Sequence, residues 1–249
     1  MKKNELILSL EKSYKDVGDL TWQNNDFVDS YLQTSRSFFT TESLKLGYPS
    51  PKKLEVYALL SGISFELEFV EKLTHIQSCI DNVIGDCLHY WVKPLNFGIE
   101  YCVFKWPDDN WNHKWTPIIQ NQLDTLYASP FTLNIYGIQI NRDGCVVAKG
   151  YDDSGTICNI RNQLKTSLKF LPEKQSNWAH IPLGRIMEPI GLSKFLKLKK
   201  LIEHLDKNLI GSIVLKSAKF VHEKKWYMED KDIISKIHFK QKNVKVIGD

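Results

Sequence analysis

Beyond the break Gly47-Tyr48-Pro49-Ser50-Pro51, the apolar residues switch repeatedly between a period of two and a period of 3.6. That alternation confines the chain to packed layers of strands and helices, because each element must bury one face against a neighbour. Leu54 to Ser61 (LEVYALLS) reads as a strand, and Phe65 to Ile84 carries Phe69, Val70, Leu73, Ile76, Ile80 and Ile84 at helical spacing. Phe97 to Trp106 is a strand. Thr116 to Tyr127 is a helix with Thr116 as N-cap and Pro117 in its first turn. Phe131 to Ile140 and Cys145 to Tyr151 form a hairpin about Asn141-Arg142-Asp143-Gly144. A helix opens at Ser154-Gly155 and runs to about Phe170, Trp178 to Met187 is a strand, and Leu192 to Leu205 is a basic amphipathic helix stopped by Asn208 and Gly211. Ile213 to Val221, Lys225 to Glu229 and an extended segment from Ile234 to Ile247 complete the chain.

The resulting order, β-α-β-α-β-β-α-β-α-β-β, divides into two similar halves. The expectation is an α+β, bilobal domain over residues 51–249, with two mixed or antiparallel sheets facing a central cleft and helices outside. Residues 1–50 differ. Leu6, Leu8, Leu10 and Tyr14 suggest a short helix, Asn24 to Ser43 is polar and reads as irregular or loosely helical, and the whole reads as a partly helical N-terminal extension. A hydrophobic content of 43% supplies a core, which argues against disorder outside the ends. No run approaches the roughly 20 apolar residues of a membrane span. The five scattered cysteines (79, 87, 102, 145 and 158) contain no CxxC pair. They indicate a reduced, cytoplasmic protein without a metal centre or bound cofactor. A net charge of +4 is compatible with an anionic ligand, but it marks neither a membrane partner nor a reader of DNA sequence.

Two strands carry the chemistry. One bears His180-Ile181-Pro182-Leu183-Gly184-Arg185 and the other Tyr101-Cys102-Val103-Phe104-Lys105-Trp106. Over residues 53–230, this pattern resembles the two-histidine (2H) phosphoesterase superfamily, which includes RNA 2′,3′-cyclic phosphodiesterases and 2′-5′ RNA ligase-like proteins. The resemblance implies that each lobe presents His-x-Thr or His-x-Ser to a shared cleft, one histidine as base and one as acid. His180 then matches the second histidine and Arg185 the arginine that often follows it. Pro182 replaces a hydroxyl residue, Tyr101 stands in the first histidine's place and Val103 replaces the other hydroxyl residue.

A tyrosine donates a proton but is a poor base near neutral pH, and losing one acid–base group costs typically about 10² to 10⁴ in rate. The expected function is therefore a divergent cyclic phosphodiesterase-like protein with a degenerate active site. It would bind a phosphorylated small molecule, nucleotide or RNA end in its cleft, with hydrolysis weak or lost. An active phosphodiesterase with altered acid–base residues and a non-catalytic scaffold are the alternatives.

His180 and Tyr101 are the candidate catalytic residues, and Lys105, Arg185, Trp178 and His113 the candidate ligand-binding residues. Strand alternation puts Tyr101, Val103 and Lys105 on one face, and Trp178, His180 and Pro182 on one face of the other strand. Each has a structural alternative. Lone histidines in apolar strands are commonly packed in place, and lysines at strand ends commonly snorkel to solvent. His113 sits in a polar loop anchored by Trp111 and Trp115. The helix lysines Lys194, Lys197, Lys199 and Lys200 read as a solvated face, as do Lys231, Lys236, Lys240, Lys242 and Lys245.

Overall fold

A computed structural model describes residues 3–206 and 208–240. Three helices come first: α1 (Lys3–Thr21), α2 (Asp29–Arg36) and α3 (Thr41–Lys45). Residues 29–45 are thus mostly helical, the second of the two readings that their composition allowed. The alternating region follows as β1 (Val56–Gly62), α4 (Leu67–Ile84), β2 (His89–Trp91), β3 (Gly98–Lys105), α5 (Trp115–Asp124), β4 (Phe131–Ile140) and β5 (Cys145–Tyr151). Then come α6 (Thr156–Ser167), β6 (Ile181–Ile186), α7 (Leu192–Leu205), β7 (Leu209–Leu215), β8 (Ser217–Lys225) and β9 (Asp230–His238).

The strands form two sheets, one in the order β3-β1-β8-β9 and one in the order β2-β6-β5-β4-β7, and every pairing is antiparallel. The run expected as one strand from Ile213 to Val221 is two strands broken at Lys216. β7 pairs with β4 in the second sheet, while β8 pairs with β1 in the first. A single apolar run therefore staples the two lobes together, and periodicity alone does not show the change of partner. Trp226 to Glu229 is a turn rather than a strand, with Tyr227 and Met228 at positive φ. β2 was absent from the sequence reading because its three residues are too short to show a period. Of the extended C-terminal segment, residues 241–249, with Lys242 and Lys245, lie outside the described residues.

Helices pack on one face of each sheet. α4 buries Phe69, Leu73, Ile76, Ile80 and Ile84, a helical stripe that ends at Gly85 with φ +65°. Its buried Gln77 donates to the Val92 and Leu183 carbonyls, tying the helix to β6. α5 begins at Trp115, so Thr116 and Pro117 fall within its first turn instead of at the cap. The β4–β5 hairpin closes as expected, with Gly144 at φ +82°. A Cβ at Gly144 would lie 1.9 Å from the Ile186 carbonyl, so only glycine permits β6 to approach there.

The N-terminal helices are integral to this packing. α1 lies against β4 and β5, where Tyr14 is buried and the Thr21 hydroxyl donates to the Ile140 carbonyl at 2.7 Å. Phe39 is likewise buried, against Tyr90 and Tyr227. No helix among the described residues is long and apolar enough to cross a membrane.

Candidate functional site

β3 does not alternate regularly. Its pairing with β1 shifts twice, between Leu59 and Leu60 and between Tyr57 and Ala58, so Leu60 opposes Glu100 whereas Leu59 opposes Cys102. Such bulges rotate the side chains that follow them. The expected common face for Tyr101, Val103 and Lys105 is therefore corrected. Tyr101 and Phe104 enter the helix-covered core, Val103 packs on the opposite face with Val56 and Ala58, and Lys105 turns back onto backbone.

Tyr101 is fully buried, its ring beside Phe131 and Phe239. Its hydroxyl donates to Ser61 Oγ at 2.6 Å, and burial pushes its pKa far above the ordinary value. Lys105 spends all three ammonium protons on the carbonyls of Glu55, Trp106 and Pro107. Arg185 is equally committed. It bonds Tyr227, Ser35 and Asp143, and its guanidinium lies 4.5 Å from the Phe38 ring centroid. His113 is exposed on the loop before α5. The structure thus separates the sequence candidates: only Trp178 and His180 are close neighbours, their rings meeting edge to face at 5.6 Å.

His180 stands just before β6. Its Nδ1 is enclosed and has no hydrogen-bond partner among the described residues. Burial, followed by the charges of Arg161 and Arg185, lowers its pKa from 6.5 to about 4. At neutral pH the imidazole is uncharged, so it can accept a proton but has none to spare as an acid.

Three further ionisable residues surround this region. Arg161 occupies the apolar stripe of α6, between Ile157 and Leu164. Its Nε donates to the Tyr101 carbonyl (2.8 Å) and its Nη2 to the carbonyls of Glu100 (3.2 Å) and Trp178 (2.6 Å). One guanidinium therefore straps the free edge of β3 to the segment entering β6. Burial lowers its pKa, and among the described residues no carboxylate is within ion-pair distance and Nη1 has no partner. Glu100 sits on the face of β3 opposite Tyr101, and burial raises its carboxyl to about 7 against the nearby charge of Arg161. Glu223 on β8 is 6% exposed, and burial raises it to about 8, with the Met228 N–H as a hydrogen-bond donor and Glu100 adding repulsion. The signal for two of them was legible as charged residues set within apolar patterns, GIEYCVFK for Glu100 and the α6 stripe for Arg161.

A cavity of about 900 Å³ opens beside Arg161. Its walls are α1, α6, the edge of β3 at Cys102 and residues 168–179, including Trp178. No group of three or more His, Cys, Asp or Glu side chains suited to a metal occurs among the described residues. The arrangement offers a half-buried cation at a cavity wall, a neutral imidazole nearby and two carboxyls that hold their protons close to neutral pH.

No family model and no curated protein matches the chain. Solved structures do. A conserved protein of unknown function from Agrobacterium tumefaciens superposes with a TM-score of 0.58 at 12% identity, covering 82% of this chain and 91% of that one. TT0787 of Thermus thermophilus gives 0.53 at 11% identity, covering 75% and 99%. Escherichia coli LigT complexed with 3′-AMP gives 0.52 at 11% identity, covering 76% and 100%. The chain shares the bilobal, LigT-like fold of the 2H phosphoesterases.

Proposed function

We propose that the chain is a divergent LigT-like protein that binds a phosphorylated ligand beside His180, with hydrolysis weak or lost. The observation that carries this reading is Arg161, a half-buried guanidinium with no carboxylate within ion-pair distance among the described residues, at the wall of a 900 Å³ cavity. Partial desolvation of a charge is costly, and a bound phosphate offsets that cost with charge-assisted hydrogen bonds.

His180 supports the loss of hydrolysis. Its neutral imidazole has no histidine beside it among the described residues, and Tyr101 is tied to Ser61. In this reading Trp178 and Arg161 border the ligand and His180 lies behind them. Arg185 and Lys105 hold the frame, and His113 is available only by movement of its loop. Residues 1–50 then act as an extension that completes the pocket on a 51–249 domain, in a cytoplasmic protein.

The structural neighbour E. coli LigT carries 3′-AMP, so nucleotides and RNA ends are the first probes. Calorimetry with inorganic phosphate and 3′-AMP at pH 7 is expected to show binding that Arg161→Met removes. Turnover of 2′,3′-cyclic AMP should stay far below the 1 to 10³ s⁻¹ or so typical of enzymes. Turnover in that range, abolished by His180→Ala, overturns the loss of catalysis. Absence of any anion binding overturns the whole reading.

A second reading, an active phosphodiesterase with altered acid–base groups, is favoured by Glu100, whose pKa of about 7 suits proton transfer. It requires activity with a pH profile that Glu100→Gln shifts.

A further inference from the structure

The lining of the cavity is divided, and the division names a ligand class. One wall is aliphatic: Leu6, Ile7 and Leu10 from α1 face Ile157, Leu168 and Leu171. The other carries Arg161, with Lys165 one helical turn further along α6 and Lys169 at the rim. The negative side chains of the lining do not cancel these cations. Asp152 is occupied in capping α6 through the backbone N–H groups of Ser154 and Ile157, and Glu173 is exposed.

Aromatic surface is scarce. Trp178 is the only aromatic residue of the lining. Its ring packs on Tyr14 at 4.7 Å, its edge meets His180, and its Nε1 donates to Ser13 Oγ at 2.8 Å. One ring, already in contact with Tyr14 and His180, is thus all the aromatic surface the lining offers to a nucleobase, and stacking is the usual anchor for a base outside a helix. Of the lining amides Asn162, Gln175 and Asn177, Gln175 is committed to both the N–H and the carbonyl of Val103.

From this we infer that the ligand of the Arg161 cavity is an aliphatic phosphate monoester, its phosphate on Arg161 and its hydrocarbon body against α1, rather than a nucleotide. The inference rests on the phosphate-binding reading above and narrows it. It also gives α1 a role: the helix supplies half of the apolar wall, so the site exists only with residues 6–10 in place.

The experiment is calorimetry with inorganic phosphate, ethyl, butyl, hexyl and octyl phosphate below their micellar range, and 3′-AMP. Burial of each added CH₂ is expected to tighten binding by up to about fourfold. Octyl phosphate should therefore exceed 3′-AMP by more than tenfold. Leu10→Trp, which fills the aliphatic end, should abolish the chain-length dependence. Arg161→Met should weaken every probe. Because Arg161 also straps three carbonyls, Lys165→Gln provides a milder charge test with the strap intact.

A direct readout is Cys158, a free, half-exposed thiol in the lining. Octyl phosphate should slow its alkylation, measured by peptide mass spectrometry, while 3′-AMP should not. Arg161-dependent phosphate binding that is flat across the alkyl series, or tighter for 3′-AMP, overturns the aliphatic inference and leaves the phosphate reading standing. No binding of any probe overturns both.

Discussion

Glu223→Gln isolates the electrostatic cost of the region between the lobes. Glu223 is 6% exposed and accepts hydrogen bonds from the backbone N–H groups of Met228 and Tyr227, and burial lifts its pKa from 4.5 to about 8. Between those values the folded chain keeps a proton that the unfolded chain has released. The unfolded state binds fewer protons there, so stability falls as pH rises through the window. At about 1.4 kcal/mol per tenfold change in proton affinity, the full shift corresponds to about 5 kcal/mol. Local relaxation and water entry reduce that figure, and about half of it is a reasonable expectation.

Glutamine keeps the shape and the acceptor for Met228 but cannot ionise. Urea unfolding of both proteins at pH 5, 6, 7, 8 and 9 is the assay. The two should be within about 0.5 kcal/mol at pH 5, and the variant should be more stable by about 2 to 3 kcal/mol at pH 9. Parallel losses of stability in the two proteins from pH 5 to pH 9 would show that Glu223 is not held protonated and would refute the argument.

Four other outcomes are expected. His180 has the opposite sign: its folded pKa of about 4 lies below 6.5, so the native state resists protonation and stability drops as pH falls from 6.5 towards 4. His180→Gln should flatten that acid limb in thermal melts. Tyr101→Phe should cost about 1 kcal/mol through the lost Ser61 hydrogen bond and leave anion binding intact, whereas a loss of binding would restore Tyr101 to the site. Arg185→Met should destabilise by about 3 kcal/mol in urea, because Asp143 is left half-buried without its cation. Gly144→Ala should cost at least about 2 kcal/mol, since its Cβ would overlap the Ile186 carbonyl and its φ is positive.

Much of the architecture was readable from periodicity. The apolar stripe of α4 and the β4–β5 hairpin both appear in the structure close to their expected limits, because each is dictated by local spacing and turn chemistry. The site was less readable. His180 was visible as a histidine in an apolar run, and Trp178 beside it. Tyr101 was assigned to the cleft by the resemblance, and its common face with Val103 and Lys105 by regular alternation, which the β3 bulges break. Arg161 and Glu100 carried a signal, charge at a buried position, that is equally consistent with a surface residue until the packing is known.

The chain's own pattern of apolar residues therefore settled the number and order of most elements and their division into two halves, since each element buries a face that spacing alone defines. Tertiary contacts decided which residues meet. The change of sheet partner at Lys216, the bulges that put Tyr101 and Val103 on different faces, and the placement of α1 against the Arg161 cavity all depend on strands and helices far apart in sequence. A one-residue shift in register exchanges the two faces of a strand. Function in this fold hangs on that shift, and hydrophobic spacing does not encode it.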